Sequence, residues 1–182
     1  MYTLDIGCGR KKVEGAVGLD MNPAFKPDVL FEITRGKELP FSNKSFEMIY
    51  ALDVIQQVDC IEWLLSEIHR VAMPNARVEI AYPHYSNPDI HNDPLNKSHL
   101  GIHFLEYFDP LKHSGYNNYY TLLGRHFPFR LEQLDFKFKE GKTRNLSHFL
   151  ADWIGAEFYE RHFSIFLPIQ KVDAELIVIK PQ

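Results

Sequence analysis

Cysteine is scarce in this chain. Of 182 residues only Cys8 and Cys60 carry a thiol, which is too few for a disulfide framework and fits a reducing cytoplasm. No apolar run is long enough to span a bilayer. No basic segment followed by an apolar stretch marks a secretory signal. These absences predict a cytoplasmic chain with no membrane partner. Charge of one sign is not in excess either: the formal net charge of -4 gives no global pull toward nucleic acid. Repeats and low-complexity tracts are missing as well. What remains is an apolar content of 45%, enough to fill one core within a single domain, 1–182.

Periodicity places the elements. Tyr2 to Ile6 reads as a buried strand stopping at Gly7, and Ala16 to Leu19 as a second strand ending at Asp20. Val29 to Ile33 is a weak third strand and Phe46 to Leu52 a fourth. Cys60 to Met73 is the clearest helix, with Ile61, Leu64, Leu65, Ile68, Val71 and Ala72 on one face. Asp59 and Glu62 resemble a capping box at its start, and Pro74 forces its exit. Arg77 to Tyr82 makes a fifth strand. Leu131 to Phe138 alternates as a strand with one wet face. Leu146, Phe149, Leu150, Trp153, Ile154 and Phe158 mark a further amphipathic helix before a closing strand, Ala174 to Ile179. Strands alternating with helices point to an α/β sheet.

Such sheets bind ligands beyond the carboxyl ends of their strands, where the strand order reverses. Gly7 and Gly9 follow the first strand, where bare backbone admits a ligand and positive φ costs little. Asp20 ends the second strand, where a carboxylate accepts hydrogen bonds from ribose hydroxyls. Glycines at one strand tip and an acid at the next describe an adenosine-type pocket.

Four motifs then occur in order: Leu4-Asp5-Ile6-Gly7-Cys8-Gly9, Gly18-Leu19-Asp20-Met21-Asn22-Pro23, Leu39-Pro40-Phe41 followed by Ser45-Phe46-Glu47-Met48-Ile49, and Glu67-Ile68-His69-Arg70-Val71 followed by Pro74-Asn75. Together they resemble the class I S-adenosylmethionine-dependent methyltransferases over residues 3–83, in particular small members of the methyltransferase type 11 kind. The resemblance implies a Rossmann-like, mostly parallel sheet with an antiparallel last strand, and S-adenosyl-L-methionine as cofactor. It implies that Asp5, Gly7, Cys8 and Gly9 shape the pocket for the methionine part. Asp20 would hold the ribose, with Met21 against the adenine and Glu32 near its amino group. Leu52 and Asp53 would close the site from the fourth strand.

The chain departs from that pattern in places. Only Arg10 to Gly15 lie between Gly9 and Ala16, whereas a parallel crossover normally takes a dozen residues or more; the first crossover is therefore expected to shrink to a turn. Lys12 stands at the third glycine, Gln56-Gln57 where many members have Glu-His, and Asn75 at the first glycine after the proline. The chain starts at the first strand, without the helices that often cover the site, so a second copy in a homodimer is a candidate cover.

Residues 84–128 hold six of the nine histidines and many aromatics, and are expected to act as a substrate cap. Ser98 is expected to start a short helix through Phe108. His99, His103 and Glu106 would share one face of such a helix as zinc ligands, but Gly101 weakens it and no tight Cys/His spacing supports the site, so no metal is expected. His84 follows the fifth strand and is the candidate general base, with Asp53 the second candidate catalytic residue. The basic runs Arg10-Lys11-Lys12 and Lys137 to Arg144 read as solvated surface. The expected function is methyl transfer to a small molecule. Two alternatives stand beside it: a non-catalytic cofactor-binding or scaffold protein of the same fold, and an NAD-dependent oxidoreductase.

Overall fold

The structure, a computed structural model, describes residues 2–112, 127–138 and 144–180. Its strands in chain order are β1 (Thr3–Ile6), β2 (Val17–Asp20), β3 (Val29–Leu30), β4 (Phe46–Leu52), β5 (Ala72–Pro83), β6 (Phe129–Phe138) and β7 (Ile169–Val178). The α-helices among the described residues are α1 (Ile61–Val71), α2 (Arg144–Ile154) and α3 (Ala156–His162). The strands form one sheet in the order β3-β2-β1-β4-β5-β7-β6. The pairs from β3 to β5 are parallel. β7 runs antiparallel to both β5 and β6. This is the Rossmann-like sheet that the motifs imply.

The register sorts residues onto two faces. Leu4, Ile49, Val78 and Leu176 lie in one row across β1, β4, β5 and β7, and all are fully buried. The buried residues of α1, with Ala151 of α2 and Tyr159 of α3, join them in one core. The next row carries Asp5, Tyr50, Glu79 and Glu175, because side chains alternate sides along a strand. On that face a groove of about 450 Å3 runs over β4 to β6, lined by strand residues alone, among them Glu79, Gln133, Asp135, Lys171 and Asp173.

Several local expectations are corrected. The capping box at α1 is not formed: Cys60 is the N-cap and gives no side-chain bond, while Asp59 pairs with Lys97 at 2.7 Å. The α1 helix ends before Pro74 and runs straight into β5, so that strand starts five residues earlier than its apolar run. Its last carbonyls are satisfied by the Lys44 and Ser45 N–H groups and by the Lys180 ammonium. The amphipathic run 146–158 is two helices, split at Gly155 with φ +86. Its apolar positions Leu146, Phe149, Trp153 and Phe158 are exposed rather than buried. The third strand keeps only two of its five expected residues. Ser98 caps no helix; its N–H donates to the Gln56 carbonyl, and the segment winds only as a 3-10 turn, Phe104–Phe108.

Two of the sequence motifs are joined by one clamp. Arg70 grips Glu67 through both carboxylate oxygens, at 2.9 and 2.7 Å, and donates to the carbonyls of Leu39 and Phe41. Glu67 in turn accepts the Leu39 N–H at 2.7 Å. The Leu39-Pro40-Phe41 turn is thereby fastened to α1, which sets where β4 begins.

Candidate functional site

The carboxyl ends of β1, β2, β4 and β5 fall at Ile6, Asp20, Leu52 and Pro83. β1 lies between β2 and β4, so the order reverses there. Gly7 and Gly9 both take left-handed φ, +67 and +53, but they serve different ends. A Cβ on Gly7 would stand 2.6 Å from Cγ2 of Val54, so its bare backbone makes room for that side chain. A Cβ on Gly9 would meet only a carbonyl oxygen at 3.9 Å, and this position is open.

Gly9 and Asp20 are in direct contact. The Gly9 N–H donates to Oδ2 of Asp20 at 2.9 Å, and Asn22 N–H donates to Oδ1 at 2.8 Å. A carboxylate has about four lone-pair positions, so acceptor capacity for two hydroxyls is left. Asp5 is buried beneath them and accepts the Val13 N–H at 2.8 Å; burial pushes its carboxyl pKa up. Cys8 is buried against Gly18, and burial, then the Asp5 and Asp20 charges, push its thiol up. That environment suits a small packing residue rather than a nucleophile.

No helix joins β1 to β2, and residues 7–16 form a strap. The Lys12 stem crosses Gly18, where a Cβ would clash at 2.4 Å, and its ammonium reaches Asp28 at 2.7 Å. Asp28 also accepts the Gly18 N–H at 2.7 Å. The lysine at the third glycine position therefore ties the shortened crossover to β2 and the segment after it.

Met21 and Glu32 lie exposed beyond the tips of β2 and β3. Phe31 N–H donates to the Asp20 carbonyl, which keeps Glu32 near that edge. Leu52 is half-exposed at the end of β4. Asp53 follows with φ +58, and its carboxylate is paired with Lys171 of β7 at 2.6 Å. Gln56 does not receive a cap from the Asp53 carboxylate; its own Nε2 donates to the Asp53 carbonyl.

His84 is fully buried. Its Nδ1 accepts the Ser86 N–H at 3.1 Å, so the proton sits on Nε2 and is donated to Glu160 at 2.7 Å. The same Glu160 oxygen accepts the Ile102 N–H at 2.9 Å. Burial raises the Glu160 pKa, but the bonds from His84 and Ile102 outweigh it and leave the carboxyl below its ordinary value. This knot joins the end of β5, the start of the 84–112 segment and α3. The segment is tied to the 3-10 turn after β4 (Ile55–Gln57) as well, since Gln57 bonds Asp93 and the Gln56 carbonyl accepts the Lys97 and Ser98 N–H groups.

The histidine cluster does not assemble on a helix face. His99 lies against His91, ring to ring at 4.9 Å, and His103 stands 3.0 Å from Glu106. Two aromatics of the expected substrate cap pack inward: Phe104 lies on Tyr82, and Phe108 is buried against Phe127. Tyr85 is half-exposed. Tyr116, Tyr119 and Tyr120 lie outside the described residues, as do Lys139 and Lys142. Val54, Lys171 and Glu160 escape sequence reasoning, because each meets the site only through a contact distant in the chain.

Residues 4–80 match the family model described as a methyltransferase domain. The solved structure of a SAM-dependent methyltransferase from Archaeoglobus fulgidus superposes with a TM-score of 0.60 at 17% identity, over 97% of this chain and 85% of that one. The chain carries the class I methyltransferase fold. An S-adenosylmethionine-dependent methyltransferase from Mesorhizobium loti superposes on this methyltransferase fold with a TM-score of 0.56 at 14% identity, over 97% and 90% of the two chains. So does the cyclase SpnF, with a TM-score of 0.53 at 12% identity, over 99% and 75%. No curated protein matches the sequence. A methyltransferase fold that also hosts a cyclase shows why the reaction must be argued from the site. No helix among the described residues is long and apolar enough to cross a membrane.

Proposed function

We propose that this protein binds S-adenosyl-L-methionine in the crevice beyond β1, β2 and β4 and transfers its methyl group to a small-molecule acceptor. The observation that carries the reading is the 2.9 Å contact between Gly9 N–H and Asp20. It places open backbone and a carboxylate with spare acceptor capacity at neighbouring strand tips. The residues fit an adenosyl group: Asp20 takes the ribose hydroxyls, Met21 the adenine face and Glu32 the amino group. Asp5, Gly7, Cys8, Leu52 and Asp53 surround the methionine part. The cofactor supplies an electrophilic methyl on a sulfonium. The chain's own contribution is alignment and exclusion of water, through the strap 7–16 on one side and residues 84–112 after β5 on the other.

Neither candidate proton-transfer group stands free. His84 holds the segment after β5 in place through Glu160, and its role is positioning. Asp53 acts as a base only after parting from Lys171, so an acceptor that arrives unprotonated suits this site best. That same engagement favours a second reading, a cofactor-binding protein of this fold without turnover. An NAD-dependent oxidoreductase is disfavoured, since no α-helix follows β1 to receive a pyrophosphate.

Mass spectrometry of the purified protein is expected to find S-adenosylmethionine or its demethylated product. Either should raise the melting temperature where NAD does not. Asp20→Ala should weaken cofactor affinity by about 1–3 kcal/mol. Equal affinity in wild type and variant would remove the ribose assignment. Binding without methyl transfer across a broad acceptor screen would favour the second reading.

A further inference from the structure

A group of large apolar side chains lies exposed on α2, α3 and the turn that follows them. Leu146, Phe149 and Trp153 follow one another at helical spacing on α2, and the last two rings stack with centroids 6.4 Å apart. Phe158 stands exposed on α3, its ring centroid 6.4 Å from that of Phe163. Ile165 and Phe166 project from the turn that follows. These six side chains are between 49% and 82% exposed. Taking roughly 200 Å2 for each large side chain, they leave on the order of 800 Å2 of apolar surface open. A monomer's largest patch is about 300–600 Å2, and about 800 Å2 per partner is what a stable interface buries.

Two observations identify the occupant. Between α2 and α3 the surface dips into a groove of about 410 Å3, lined by Ile154, Gly155, Ala156 and Phe158 and edged by Glu157, Arg161 and His162. Gly155 has nothing within 4 Å of the place a side chain would take. The surface thus offers protruding rings and a recess beside them, which is what a twofold contact needs, each copy placing its ring in the other's recess. The charges argue against a lipid surface. Among the described side chains of residues 146–167, the exposed charges are one basic, Arg161, against two acidic, Asp152 and Glu157, while Glu160 is turned inward to His84. A helix resting on an anionic membrane carries the opposite balance.

We infer that this protein is a homodimer in which two copies pack the ridge Leu146, Phe149, Trp153, Phe158 and Phe166 against each other across a twofold axis. The inference stands apart from the cofactor reading, and neither depends on the other.

Sedimentation equilibrium of the full chain tests it. The expected mass is twice the 21.3 kDa of one chain. Trp153→Asp and Phe166→Asp, the second outside both helices, should each weaken the dimer about thirtyfold or more, with the melting temperature of the monomer fold retained. Arg77→Asp, on the bare sheet face, should leave the dimer intact. In a Trp63→Phe background the Trp153 fluorescence should be shielded from acrylamide, and the shielding should be lost on dilution. A wild-type chain that stays monomeric overturns the proposal, whether or not it binds phosphatidylserine vesicles. So does a dimer that survives both ridge variants, or one that Arg77→Asp breaks.

Discussion

Beneath α1 the sheet presents Leu4, Ile49, Val78 and Leu176 in one row; one residue further along each strand, the other face presents Asp5, Tyr50, Glu79 and Glu175. Parallel sheets usually have both faces covered by helices. Among the described residues no helix lines the groove on the charged face, which pairs ions laterally, Arg77 with Glu175 at 3.5 Å and Lys137 with Asp173. The same hydrogen-bonded ladder therefore carries an apolar core on one side and a charged, only partly compensated surface on the other, where Glu79 lies opposite Glu175 and burial, then that charge, push its carboxyl pKa up. An interaction of one chemical kind should be worth very different amounts on the two sides.

The sharpest contrast is expected between two ion pairs. In the covered layer Glu67 is only 4% exposed and depends on Arg70. Arg70→Ala should cost about 3–5 kcal/mol, because it strands a buried carboxylate, and a denaturant midpoint measures it. Next comes Leu176→Ala, expected to cost about 2–5 kcal/mol by leaving a cavity. Glu175→Ala, one residue away on the bare face, should cost less than about 1 kcal/mol. A similar loss at both positions would break the contrast.

An intermediate effect is expected from pH. Burial lowers the His69 pKa from its ordinary 6.5, and Glu160 lies below its ordinary 4.5 despite burial, through its bonds to His84 and Ile102. In both cases the folded state binds fewer protons than the unfolded one, so stability is full above the unfolded value and falls with pH. Urea midpoints should drop first below about pH 6.5 and again below about pH 4.5. Glu160→Gln keeps an acceptor for both bonds and should flatten only the lower step. A midpoint that is level down to about pH 4 would contradict both assignments. The smallest effect is at Lys137→Ala, where an exposed pair should be worth about 0–1 kcal/mol.

The half of the sheet that holds the candidate site was largely legible. Gly9 and Asp20 announce themselves because their chemistry is local: a bare turn after one strand and an acid ending the next. Phe46 to Leu52 was read to the residue, since its apolar run ends where the strand ends. Legibility failed where a residue's role is set at long range. Nothing around Val54 says that Gly7 makes room for it, and nothing near Asp53 announces Lys171, 118 positions away. The run 146–158 has helical periodicity, and periodicity reports a face without saying whether this chain covers it. His84 looked free because the loop after β5 reads as polar; its partner Glu160 lies 76 positions on.

The place of β7 has a consequence for how the molecule comes into being. It is the last strand in chain order, yet it sits between β5 and β6 and bonds to both. Until it emerges during synthesis, the backbone of Arg77 to Pro83 is an unpaired edge, and such edges recruit foreign strands. The β1–β2 pair, closed by the strap 7–16, can form early, because short loops cost little entropy to close. The pairing nearest the crevice is thus local in the chain, whereas the β5 edge waits for β7, and the interval before β7 pairs is the one in which that edge stands open to aggregation.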